Sequence, residues 1–295
     1  MATLRDIKNR IVGVKSTQKI TRAMKMIATA KLRGAQQRIV GARPYANKIG
    51  EMLSRLAADD SLQTNPFFAA RTVKKICVVV ITADRGLCGA FNTNIIREAT
   101  SYINEELKNE NSVSVFTLGK KATEYFSRRN YNIEGKIVGL FSTLEYQSTL
   151  QLYNDLVPKY LNSEIDKIVL VYNEFVSMIQ QRIVKVQLLP IPFISENKEV
   201  KASANYIFEP DQLSIFQSLI PKHLKVQLWR ALLESNAAEL SARMTAMDNA
   251  TTNAQELIRS LNLTYNKERQ AAITKEILEI VSGANALKAS SYIPF

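Results

Sequence analysis

Cysteine and histidine are nearly absent from this 295-residue chain, which holds two cysteines, Cys77 and Cys88, and one histidine, His223. Two cysteines give no disulfide framework and point to a reducing compartment. One histidine and two cysteines nearly exclude metal sites built on several His or Cys ligands, and His-based triads with them. No run of about 18 apolar residues occurs, so nothing reads as a membrane span. Glycine is missing from Gln212 to Ser282, where the one proline is Pro221. Acids are scarce at one end: residues 1–50 hold twelve Lys or Arg against Asp6 alone, a net +11, while the whole chain carries +12. The basic character therefore belongs to one segment. With 46% apolar residues the chain can bury a sizeable core and hold two domains.

The glycine-free stretch organises the rest. From Leu233, apolar and small residues fall at Ala237, Leu240, Met244, Met247, Thr251, Ala254, Ile258, Leu261 and Tyr265. Steps of four and three alternate, the 3.5-residue period of a coiled-coil seam. A helix of about 60 residues past Pro221 would span about 90 Å, too long for one ordinary domain, so it needs a partner helix. Residues 3–58 supply one. Leu32, Ala35, Ile39, Ala42, Ala46, Ile49, Leu53 and Leu56 keep the same alternation, as do Leu4, Ile7, Ile11 and Val14. Between them Met24, Ala28 and Leu32 are spaced by fours, which reads as a stutter that relaxes the left-handed twist. Pro44 predicts a bend or one lost hydrogen bond. An alanine-rich seam lets backbones approach closely, at the cost of apolar area.

Between the helices the period changes. Ile76–Thr82 is a continuous β-branched run, expected of a strand buried on both faces. A helix near 94–108, strand 112–118, helix 120–129, weaker strand 133–138, helix 144–161 and strands 167–172 and 183–189 follow. This alternation predicts a parallel, doubly wound, Rossmann-like α/β domain. The fold class is thus α/β plus coiled coil, with long terminal helices paired antiparallel around an inserted domain. The divisions are 1–60 for the first shaft helix, 75–195 for the α/β foot, 211–287 for the second shaft helix and 288–295 for a tail.

Candidate chemistry is thin. Asp84-Arg85-Gly86-Leu87-Cys88-Gly89 follows the first strand, where phosphate loops sit. It matches neither G-x-G-x-x-G nor the P-loop pattern, so a structural turn is expected. Cys88 reads as an inert small residue without a neighbouring histidine, and His223 as a surface or packing residue. No cofactor or metal is expected. The basic helix is compatible with a solvated face, a nucleic-acid contact or an organellar presequence; a presequence would not rejoin the C-terminal helix in period.

Four stretches carry a family resemblance. Ile7-Lys8-Asn9-Arg10-Ile11 with Thr17 to Met26 resembles the N-terminal helix of the gamma subunit of F-type ATP synthases. Ala271 to Ala284 resembles that family's C-terminal signature, and 206–211 and 84–89 match in order. The resemblance implies a rotor shaft inside a ring of three alpha and three beta subunits, coupling ion-driven rotation of a membrane c-ring to ATP synthesis or hydrolysis, with an epsilon subunit as a further partner. It implies no catalytic site in this chain, no nucleic acid and no small-molecule substrate. Carried over by position, Arg22, Met24 and Lys25 would lie near acidic beta-subunit loops. Arg269, Gln270, Thr274 and Glu276 would make polar ring contacts. Ile277, Leu278, Ile280 and Val281 would enter an apolar bearing, and Tyr206 and Glu209 would face the membrane ring. The expected location is peripheral, on the cytoplasmic face of a bacterial inner membrane. A DNA-binding coiled coil would explain the basic helix but not the C-terminal signature, and it offers no aromatic for base stacking before Arg43. An α/β enzyme with helical arms would lack any catalytic set.

Overall fold

The computed structural model describes residues 3–56, 65–69, 71–178, 180–192, 209 and 211–290. In chain order the elements are α1 (Leu4–Leu56), β1 (Lys75–Ile81), α2 (Phe91–Lys108), β2 (Ser112–Leu118), α3 (Lys120–Ser127), β3 (Ile133–Ile137), α4 (Tyr146–Leu161), β4 (Lys167–Phe175), β5 (Gln181–Leu189) and α5 (Gln212–Ser290). They form two compact units: residues 27–246, and residues 1–26 together with 247–295.

In the larger unit a five-stranded sheet runs in the order β3-β2-β1-β4-β5. β1 is central, and all its residues from Ile76 to Ile81 are buried, as the unbroken apolar run requires. Its side chains alternate between two apolar clusters. Ile76, Val78 and Val80 face Ile95, Ala99 and Ile103 of α2 and Ala122 and Phe126 of α3. Cys77, Val79 and Ile81 face Leu152 and Leu156 of α4, together with Leu32, Ala35 and Ile39 of α1 and Leu228, Leu232 and Ala237 of α5. The sheet is therefore sandwiched, with α2 and α3 on one side and α4, α1 and α5 on the other.

One expectation is corrected. β1 to β4 are parallel, but β5 pairs antiparallel with β4, so the sheet is mixed. Only residues 176–180 separate β4 from β5. A parallel crossover needs a dozen or more residues, so a hairpin is forced.

The smaller unit is an antiparallel pair of helix segments. The Thr21 and Thr251 hydroxyls lie 2.8 Å apart, and Lys25 Nζ reaches Asp248 Oδ1 at 2.6 Å. Along α1 the covered positions to Leu32 are Leu4, Ile7, Ile11, Val14, Gln18, Thr21, Met24, Lys25, Ala28 and Leu32. Gln18, Thr21 and Lys25 carry a three–four alternation across this stretch, and Met24, Ala28 and Leu32, spaced by fours, are covered beside them. Thr21 and Lys25 fill the seam with polar groups that find partners on α5, and Gln18 is half-buried in line with them. The α5 seam from Leu233 to Tyr265 is buried or half-buried at every expected position. Both starts are capped as their sequences ask. Asp6 N–H donates to Thr3 Oγ1 while Thr3 N–H donates to Asp6 Oδ2, and Ser214 N–H donates to Asp211 Oδ1. α1 runs on through Pro44. α5 continues to Ser290, three residues past the expected end of the second shaft helix at 287.

Candidate functional site

The C-terminal edge of the parallel strands is where α/β folds bind ligands. Here that edge is occupied by the protein itself. Asp84, just past β1, turns its carboxylate onto three backbone amides. Oδ1 accepts from Lys120 N–H at 3.1 Å and from Gly139 N–H at 2.8 Å, and Oδ2 accepts from Phe141 N–H at 3.4 Å. Lys120 opens α3, so a carboxylate sits where a helix N-terminus would otherwise offer its free N–H groups to an anion. Beneath it the Thr82 hydroxyl donates to Leu118 O and accepts from Ala122 N–H. Gly119 (φ +91°) lies so close that any side chain would run into the Thr82 carbonyl. The rest of the loop is tied equally well. Asn92 Oδ1 accepts from Ala83 N–H, and its amide NH2 approaches Cys88 Sγ at 3.2 Å. Cys88 is buried, and burial pushes its thiol pKa up, as befits an inert residue. The 84–89 segment is a structural clamp.

Two charged groups that the sequence pattern does not flag hold α5 to this domain. Arg243 donates to the Gly86 carbonyl at 2.7 Å and to Glu239, whose pKa burial raises against the pull of Arg243. Glu234 is fully buried and takes Arg43 of α1 at 3.3 Å and Arg230 at 3.2 Å; Arg43 also donates to the Phe175 carbonyl at the end of β4. One carboxylate thus links both long helices to the sheet. Nothing local distinguishes Glu234 from a solvated residue, except that Leu232, Leu233, Ala237 and Ala238 around it are all buried.

The residues singled out as contacts lie mostly in the smaller unit. Arg22 is exposed, and Met24 and Lys25 are half-buried, Lys25 in its ion pair with Asp248. Arg269, Gln270, Thr274 and Glu276 are all exposed. The register set by Thr21–Thr251 and Lys25–Asp248 brings the start of α1 level with about Arg269. Beyond that point α5 has no α1 residue opposite it. There Ile277, Leu278, Ile280 and Val281 stand 49–67% exposed, with Ile273 beside them on a stripe at helical spacing. Glu209 is exposed, and Tyr206 lies outside the described residues. Among the described residues no cluster of three His, Cys, Asp or Glu side chains could hold a metal ion, and no helix is long and apolar enough to cross a membrane.

A family model described as ATP synthase matches residues 3–287. The ATP synthase gamma chain of Chlorobaculum tepidum is 49% identical over 98% of this chain and 100% of its own length. That of Chloroherpeton thalassium is 46% identical over 99% of this chain and all of its own. This chain belongs to the ATP synthase gamma-chain family. Solved structures agree with the family's fold. A chain of the Tetrahymena thermophila mitochondrial ATP synthase central stalk and c-ring superposes with a TM-score of 0.62, at 25% identity, over 78% of this chain and 99% of its own. A chain of the Euglena gracilis mitochondrial enzyme gives 0.68 at 22% identity over 99% and 97%.

Proposed function

We propose that this chain is the central rotor shaft of an F-type ATP synthase, turning inside a ring of three alpha and three beta subunits and coupled through its foot to a membrane c-ring, with an epsilon subunit bound alongside. The observation that carries this reading is the exposed apolar stripe at the end of α5. A helix that leaves Ile277, Leu278, Ile280 and Val281 in water within one chain is built to be covered in an assembly. In the shaft reading, residues 1–60 and 211–287 are the two shaft helices, paired as an antiparallel coiled coil as far as about Arg269, with 75–195 the foot and 288–295 the tail. The stripe turns in an apolar sleeve, and Arg269, Gln270, Thr274 and Glu276 meet the ring below it. Arg22, Met24 and Lys25 pass the acidic loops, and Tyr206 and Glu209 meet the membrane ring. The chain does no bond chemistry of its own. Its contribution is differential contact: an asymmetric shaft touches the three surrounding sites unequally, so its angle sets which conformation each one populates. Exposed ion pairs are weak, about 0–1 kcal/mol each, which suits contacts that must break at every third of a turn. Asp84 supports the non-catalytic assignment, because its carboxylate occupies the cradle that a phosphate would need. The expected place is the cytoplasmic face of a bacterial inner membrane, held there by partners.

The test is reconstitution. Purified chain should co-assemble with an alpha–beta ring and rotate during ATP hydrolysis when a bead is attached to its foot. Serine at 277, 278, 280 and 281 together should leave the isolated chain folded and weaken ring assembly. Normal assembly and rotation by that variant would remove the stripe from the mechanism.

A further inference from the structure

An open trough of about 530 Å³ lies in the larger unit between α1, α4 and α5, outside every surface described above. Tyr45 of α1, Tyr146 of α4 and Trp229 of α5 line it together with Ala42 and Val226. Tyr146 and Trp229 meet edge to face with centroids 5.7 Å apart, which holds both rings in place. Tyr45 and Tyr146 are nonetheless 57% and 43% exposed. Three cations and no acid line the trough. Arg230 is engaged by Glu234 and Glu174, whereas Lys222 and Lys225 have no carboxylate partner among the described residues. Lys225 is steadied over the Tyr153 ring at 4.7 Å, so its ammonium is a positioned charge rather than a freely swinging one.

We propose that this trough docks an acidic peptide segment of a partner protein, which inserts a bulky apolar side chain against Tyr146 and Trp229 and sets carboxylates against Lys222 and Lys225. Tyrosine, tryptophan and arginine are the residue types that dominate binding energy in protein interfaces, and here they surround one concavity. The unneutralised lysine pair selects the sign of the partner, and the open side favours a chain segment over a small molecule, which is held best where most of its surface is enclosed. The proposal uses the rotor reading only in assuming that the chain works within an assembly. Its test uses the full chain alone, so either can fail without the other.

A display library of random peptides is selected on the immobilised full chain. Trp229 is the only tryptophan, so its fluorescence reports occupancy directly. Enriched peptides are expected to carry a large apolar residue within a few positions of at least two acids and to shift Trp229 emission. They should bind the double variant K222E/K225E at least tenfold more weakly, and Y146A should show the same loss. Both variants should keep a cooperative melt, with Y146A lower by a few degrees at most for the lost ring contact. Neutral or basic winners, winners that bind the double variant equally, no Trp229 response, or no enrichment would each overturn the proposal. Saturable binding of free naphthoate at Trp229 without any peptide binding would assign the trough to small anions and overturn it as well.

Discussion

Asp84→Ala tests the claim that a carboxylate substitutes for a ligand at the edge of the sheet. Removing the side chain leaves the N–H groups of Lys120, Gly139 and Phe141 without their acceptor. Hydrogen bonds to a charged group are worth about 1.5–3 kcal/mol each, so the two shorter bonds set a cost of about 3–6 kcal/mol. The third, at 3.4 Å, adds little. Asp84→Asn keeps a carbonyl oxygen where Oδ1 now accepts both short bonds, and should cost only about 1 kcal/mol. For a domain of this size the alanine variant should melt at least about 10 °C lower, and the asparagine variant about 3 °C lower. Urea unfolding followed by far-ultraviolet circular dichroism gives the free energies. Amide hydrogen exchange at Lys120 and Gly139 localises them, with protection lost in the alanine variant and retained in the asparagine variant. Equal costs for the two variants, or an alanine cost below about 1 kcal/mol, would refute the reasoning, because the carboxylate would then be a solvated turn residue.

Other outcomes follow from packing and from charge. Ala237 is fully buried where the two long helices pack in the larger unit, and Ala237→Leu should destabilise by about 1–3 kcal/mol through overpacking, read as a lower urea midpoint at unchanged slope. Burial depresses the His223 pKa from 6.5 to about 4, and the buried Nδ1 has no hydrogen-bond partner among the described residues. The folded state therefore resists a proton that the unfolded chain accepts. Stability from this group is present above pH 6.5 and is lost as the pH falls toward 4, by up to about 3 kcal/mol. His223→Gln should flatten that part of the melting-temperature profile; an unchanged acid slope would refute it. Thr251→Val removes the partner of Thr21 while keeping shape, and should cost about 1 kcal/mol, measured by thermal melting.

The amino-acid sequence by itself determined the elements and the main seam. Hydrophobic period is a local property, so Leu233 to Tyr265 and the unbroken run Ile76–Ile81 announce a paired helix and a doubly buried strand. The four recognisable stretches announced the family in the same way. What the tertiary structure decided are the pairings between residues far apart in the chain. The antiparallel β5 followed from how the strands sit beside one another, although the short link 176–180 was a usable sign of it. The seam through Thr21 and Lys25 could not be read from apolar residues, because a polar side chain can occupy a seam position only when its partner, here Thr251 or Asp248, comes from another part of the chain. Glu234 with Arg43, separated by 191 positions, and Arg243 with the Gly86 carbonyl, separated by 157, are of the same kind. So is the trough of Tyr45, Tyr146 and Trp229, drawn from three helices. A charge or an aromatic ring carries no period, and its role is set by whichever groups the fold brings within a few ångströms.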